Sequence, residues 1–230
     1  MEQLTFELAP IEPPSFANFL AGPNVEAVTA LRQLARGDVR ETGILVWGAT
    51  GSGRTHLLHA VVAAADTLPS ATYYPGPASA PAEPPVAGAL VAIDDVEDAD
   101  PEAQGRLFTL YNRLQATGGR LLAAAGAPPG RLRLRDDLRT RLGRGLVYEL
   151  MPLADADKPA ALAHYAQERG FRLADDVIAY LLAHGRRDMT ALLATLAALD
   201  RYSLAAKRPI TVPLLRKWLQ REFALPSPDE

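Results

Sequence analysis

The chain has no cysteine, which excludes disulfide scaffolds and thiolate-held metal centres. It has no surplus of positive charge either. Its 24 Lys and Arg stand against 27 Asp and Glu, a formal net charge of −3, so no global basic field draws it to duplex DNA. No apolar run reaches membrane-spanning length, and a membrane is not expected as a partner. Met1-Glu2-Gln3-Leu4 lacks the basic and apolar regions of a signal peptide, which makes a cytoplasmic location the expectation. What remains is a 230-residue chain, 48% hydrophobic and 22% charged, with the profile of a soluble globular protein of one large or two small domains. Its prolines gather between 75 and 85 and near both ends, where loops are expected.

Gly48-Ala49-Thr50-Gly51-Ser52-Gly53-Arg54-Thr55 carries the strongest signal. An apolar run, Ile44–Trp47, precedes it and reads as a buried parallel strand; His56–Val62 follows and reads as a helix. Strand, glycine-rich loop and helix in that order form a phosphate-binding loop. Glycine lets the backbone curl so that its amides face phosphate oxygens, and the helix adds the positive end of its dipole. The nucleotide contacts are expected along Gly48–Thr55 and at His56, with the Thr55 hydroxyl on Mg²⁺. Arg54 stands where lysine is usual. Its planar fork can hold a diphosphate but is poorly shaped to place a γ-phosphate for hydrolysis. Nucleotide binding with weak or no intrinsic turnover is therefore expected, with ADP favoured over ATP.

Leu90–Asp95 reads as a strand beside the phosphate loop that ends in two carboxylates. Asp94 is suited to hold Mg²⁺ through its water shell, and Asp95 to orient a water molecule. Further elements are expected at Val25–Ala35, Ala71–Tyr74, Arg106–Gln115, Leu121–Ala125, Leu134–Leu142 and Leu146–Leu150, with a low-complexity loop from Pro75 to Pro85 that has freedom to move. Alternating strands and helices imply an α/β sandwich with a mostly parallel sheet. After Met151-Pro152 only helical periods remain, near 157–168, 174–183, 188–205 and 212–223. Asp157 suits a helix cap ahead of Pro159. The expected divisions are an N-terminal peptide and linker at 1–14, an α/β domain at 15–152 and a helical domain at 153–230.

The first residues offer two readings. Leu4, Phe6 and Leu8 alternate behind Gln3 and precede a proline-bearing linker. Such a segment either adds a strand to the domain's own sheet or docks on a partner.

Taken together, these motifs resemble the AAA+ family: a P-loop α/β module followed by an all-helical lid. More narrowly, they are similar to the branch of the bacterial replication initiator DnaA and its shorter Hda-type relatives. The segments that carry the likeness are Phe16-x-Asn18-Phe19-x-x-Gly22-x-Asn24, Gly48–Thr55 as Walker A, Leu90–Asp95 as Walker B, and Phe108–Asn112 in the helix after it. Gly126–Pro129 stands at the sensor 1 turn and Asp137–Leu142 in the box that bears the arginine finger. The resemblance implies that Arg141 acts in trans on a neighbour's nucleotide. It also implies that Gln3, Leu4, Phe6 and Leu8 bind the sliding clamp, the β subunit of DNA polymerase III. A chain ending after the lid fits the Hda type, since the initiator's helix-turn-helix domain is missing.

The implied function is regulation of replication initiation: with nucleotide and the DNA-loaded clamp bound, the protein stimulates hydrolysis of DnaA-bound ATP. Homo-oligomers are a further possibility, and DNA would be reached mainly through the clamp. The departures are Ala125, Gly126 and Ala127 at sensor 1, and Thr190 at the sensor 2 arginine, with Arg187 one turn away. Two rivals stay open: a self-contained DnaA-like ATPase that loads another protein, and direct DNA binding by the arginines between 131 and 144. For Arg141 the plain alternative is a solvated basic helix face.

Overall fold

The computed structural model describes residues 13–186, 189–206 and 209–222. The clamp-binding expectation at Gln3, Leu4, Phe6 and Leu8 lies outside these residues, as does Arg187. The chain divides into two units, Pro14–Pro152 and the residues from Leu153 onward.

The first unit is built on five parallel strands: β1 (Gly43–Trp47), β2 (Ala71–Tyr74), β3 (Leu90–Ile93), β4 (Arg120–Ala125) and β5 (Leu146–Glu149). Their order is β2-β3-β4-β1-β5. Four helices join them: α1 (Val25–Ala35), α2 (Arg54–Ala63), α3 (Pro101–Thr117) and α4 (Asp136–Arg144). Strands buried on both faces need helices on both faces, and alternation along each strand divides the core in two. Ile44, Val46, Leu90, Ala92, Leu122 and Ala124 pack with Leu31, Leu34, Leu57, Leu58 and Val61 of α1 and α2. Leu45, Val91, Ile93, Leu121 and Ala123 pack with Leu107, Leu110, Leu114, Leu138 and Leu142 of α3 and α4. The result is the expected α/β sandwich.

β3 ends beside the phosphate loop, as expected, although β4 stands between β3 and β1, and β3 hydrogen-bonds only to β2 and β4. Strand order depends on pairings far apart in the chain, which local pattern does not encode. The Pro75–Pro85 loop also differs from a free strap. Pro77 and Ala80 are buried, and the Ala78 carbonyl accepts a hydrogen bond from Arg106 of α3 at 3.2 Å. Helix α3 starts earlier than the periodicity predicts, because Asp100 caps it: its Oδ1 accepts from the Ala103 amide at 2.7 Å, with Pro101 at the first turn.

The second unit is all helix: α5 (Lys158–Glu168), α6 (Asp175–His184), α7 (Met189–Ala206) and α8 (Val212–Glu222). Leu162, Ile178, Leu181, Leu192, Leu196, Leu199 and Leu215 form its core. Asp157 precedes α5 but makes no side-chain cap. Asp155 instead pairs with Lys158 at 2.6 Å, so the first turn is held by an ion pair. Among the described residues no helix is long and apolar enough to cross a membrane.

Candidate functional site

The C-terminal ends of β1, β3 and β4 carry the candidate site, where open parallel sheets bind ligands. The loop after β1 needs its glycines. Gly51 and Gly53 have φ of 82° and 93°, in the region that favours glycine. At Gly48 the reason is space: a Cβ would run into the Leu150 carbonyl and lie 2.8 Å from Ser52 Oγ. Helix α2 opens directly from the loop, with Gly53 left-handed at its N-cap and no side-chain cap. The first-turn amides at Arg54, Thr55 and His56 have no helical carbonyl before them.

Asp94 is 2% exposed at the end of β3. Its Oδ2 accepts from the Thr55 hydroxyl at 2.6 Å and from the Tyr73 hydroxyl at 3.4 Å, and its Oδ1 accepts from the Asp95 amide at 3.1 Å. The two residues expected to serve Mg²⁺ thus meet, although a strand separates theirs from each other. Tyr73 was not singled out by any motif. Burial and the neighbouring Asp94 push its phenol up to about 12, so it stays a donor at physiological pH.

Asp95 is the non-glycine residue with positive φ among those described, at 42°, a strained conformation of the kind that persists where surrounding structure imposes it. Its carboxyl is raised above the usual range by burial and then by Asp94, with Arg54 opposing. Arg54 folds back across the loop. Its Nη1 lies 3.3 Å from Asp95 Oδ1 and 3.7 Å from Glu97 Oε1. Glu97 Oε1 also accepts from the Gly126 amide at 2.5 Å, so the sensor 1 turn is tied to the end of β3. Glu97 escaped the sequence reading because a carboxylate just past a strand looks like a solvated one.

His56 sits at the first turn of α2, and its ring packs on the segment from Ser15 to Phe19. Nε2 is 2.9 Å from the Ser15 carbonyl, and the ring lies 5.4 Å from that of Phe19. Burial holds it below its ordinary value. Phe19 in turn closes on the loop, so a Cβ on Gly53 would lie 2.5 Å from its ring. The segment from Ser15 to Phe19 is thereby fixed to the phosphate loop. Asn24 fixes its other end, exchanging hydrogen bonds of 2.8 Å with the backbone of Met151.

Arg141 lies elsewhere in the same unit. Its guanidinium rests 4.8 Å from the Phe108 ring centroid and 5.4 Å from that of Tyr111, both on α3. No carboxylate among the described residues pairs with it, whereas Arg135 pairs with Asp137 and Arg139 with Asp136, each at 2.7 Å. Arg141 is therefore not one of an equivalent set of solvated arginines.

The loop suits a polyphosphate. Ser52 Oγ and Arg54 Nη1 are buried without a hydrogen-bond partner, and the amides at the start of α2 are unspent by the helix. Thr55 would hold Mg²⁺ through its hydroxyl and Asp94 through the water shell of the metal. The described residues contain no cluster of three or more His, Asp or Glu that would hold a metal alone.

Residues 155–219 match the model of the family described as Hda, lid domain. The fold of the chain is similar to domain III of the replication initiation protein DnaA from Thermotoga maritima, at 20% identity and TM-score 0.71, covering 95% of this chain and 100% of that one. AMPPCP-bound DnaA from Aquifex aeolicus is similar over 84% of this chain and 66% of its own, at 19% identity and TM-score 0.65. So is the Thermotoga maritima RuvB Holliday junction branch migration motor, over 91% and 72%, at 19% identity and TM-score 0.64. The fold is that of an AAA+ module followed by a helical lid. The likeness to these structures is one of fold, and the family match covers residues 155–219 alone.

Proposed function

We propose that this DnaA/Hda-like AAA+ protein regulates replication initiation, binding nucleotide for structure and supplying Arg141 to ATP held by DnaA. The observation that carries the reading is the contrast between its two site arginines. Arg54, in the phosphate loop, is engaged by Asp95 and Glu97. Arg141 keeps its charge and its forked donors for an outside group, because aromatic faces hold it and no acid among the described residues pairs with it. A guanidinium so presented can meet the γ-phosphate of a neighbouring subunit. It then stabilises charge that grows in the transition state more than in the ground state.

Its own hydrolysis is expected to be weak. The expected water-orienting carboxylate, Asp95, is paired with the loop cation, and the sensor 1 turn offers Gly126 and Ala127 in place of polar side chains. The chemistry that nucleotide and Mg²⁺ supply here is organisation: phosphate on the amides of Gly48–Thr55 and on Arg54, and metal at Thr55 and Asp94. The peptide Gln3, Leu4, Phe6 and Leu8 would dock on the sliding clamp and bring the protein to DNA.

The test is hydrolysis of DnaA-bound ATP with and without this protein and clamp-loaded DNA. Stimulation that needs all three components is the expected result. Turnover of many ATP per minute by the isolated protein would favour the self-contained ATPase instead.

A further inference from the structure

Glu97 belongs to no motif, yet it joins two loops of the site. Asp95 turns the chain through the left-handed region, and the short 3-10 turn Val96–Asp98 brings Glu97 back over the end of the sheet. One oxygen, Oε1, then serves two groups that attract anions: the Gly126 amide after β4 at 2.5 Å, and Arg54 after β1 at 3.7 Å. The other oxygen, Oε2, is buried with no hydrogen-bond partner, as is Arg54 Nη1. The carboxylate is partly exposed, but leaving one of its oxygens buried and unsatisfied is costly, and it is retained here beside the cation of a phosphate loop.

We propose that Glu97 is an internal stand-in for the terminal phosphate, and that it sets this site to take a nucleoside diphosphate in preference to a triphosphate. The proposal rests on the reading of Gly48–Thr55 as a nucleotide site. A phosphate chain laid along the loop reaches Arg54 with its outermost group. A diphosphate leaves the bridge from Arg54 through Glu97 to Gly126 in place. A third phosphate competes with Glu97 for the same guanidinium and the same amide, and sets its charge beside Glu97, Asp94 and Asp95. Like charges so placed repel strongly in a partly buried site. Arg54 then fixes which phosphates are held, and Glu97 fixes how many.

Calorimetric titration of the full chain with Mg-ADP and Mg-ATP tests this. Glu97→Gln keeps an acceptor oxygen for the Gly126 amide and removes only the charge. Wild type should bind ADP more tightly than ATP. Glu97→Gln should shift the ratio of the two dissociation constants toward ATP by about tenfold or more, the least that a like-charge contact of this kind costs. Glu102→Gln, an exposed acid on α3, should leave the ratio unchanged and control for net charge. A ratio within about twofold of wild type in Glu97→Gln, or a wild type that prefers ATP, would overturn the role of Glu97 while the nucleotide site stands. If wild type binds neither nucleotide, the nucleotide reading itself fails, and that outcome is distinct from the other two.

Discussion

Arg54 and Arg141 are the same side chain in two opposite settings. The Arg54 side chain is 14% exposed and lies among carboxylates, so its charge is spent inside the domain. The Arg141 guanidinium lies on the faces of Phe108 and Tyr111, which attract a cation without occupying its N–H groups. On the proposed function, the difference would let one domain hold nucleotide quietly and still act on a neighbour's: an arginine neutralised by acids would serve as scaffold, and one supported by rings would remain a reagent.

The sharpest way to break this comparison is to remove the second arginine. Arg141→Ala should reduce the stimulation of DnaA-bound ATP hydrolysis by roughly 10³-fold, the scale of an arginine finger, with nucleotide binding by this chain unchanged. Arg141→Lys should rescue poorly, since it keeps charge but loses the fork. Arg139→Ala and Arg144→Ala should cost little; equal losses at all three would make the helix a basic patch and end the distinction.

The first arginine's surroundings give the next effect in size. Asp94→Ala removes the acceptor of the Thr55 and Tyr73 hydroxyls and should weaken Mg-nucleotide binding by roughly 10–100-fold, as lost metal-site partners do. Calorimetry with and without Mg²⁺ reads it, and the loss should shrink when the metal is withheld.

A smaller change sharpens the role of the rings. Phe108→Leu keeps apolar volume and removes the π-face under Arg141. It should cost about 0.5–1 kcal/mol of stability by denaturant titration, together with a few-fold fall in stimulation. A variant as active and as stable as wild type would show that the stacking is incidental.

The smallest effect concerns pH. His56 is held below its ordinary 6.5 by burial, so the unfolded chain takes up the proton more readily than the native one as pH falls through 6.5. Stability should then fall with pH between 6.5 and the lowered native value, and be unaffected by this group above 6.5. His56→Gln should therefore flatten the slope measured by urea unfolding at pH 7.5, 6.5 and 5.5. An unchanged slope would remove His56 from the account.

Much of this was legible because it is local. The spacing Gly48–Thr55, the apolar runs on each side and the face Leu107, Leu110, Leu114 of α3 state their geometry within a few residues. What the sequence does not state is what meets what. Nothing in Glu97 distinguishes it from Glu102, and only the turn at Asp95 sends one to Gly126 and leaves the other in solvent. The insertion of β4 between β1 and β3 was hidden for the same reason, as was the cap at Asp100, whose side chain competes with other acids in Asp94–Asp100 for the role. The contact of the His56 ring with the Ser15 carbonyl was not legible either, because side-chain direction on α2 follows from packing against a distant segment.

The position of β1 has one more consequence, in time rather than in space. Its neighbours are β4 and β5: Gly43 pairs with Leu121, and Ile44 with both Leu122 and Leu146. The floor of the phosphate loop is the backbone of Leu150, whose amide bonds to the Trp47 carbonyl at 2.6 Å and whose own carbonyl abuts Gly48. A loop that begins early in the chain is thus finished by residues at the far end of its domain. Pairings of such separation close slowly, because chain entropy must be lost before any contact repays it. During synthesis the loop must wait for β5 to emerge before it has a floor, so competence to hold phosphate marks the completion of the whole first unit.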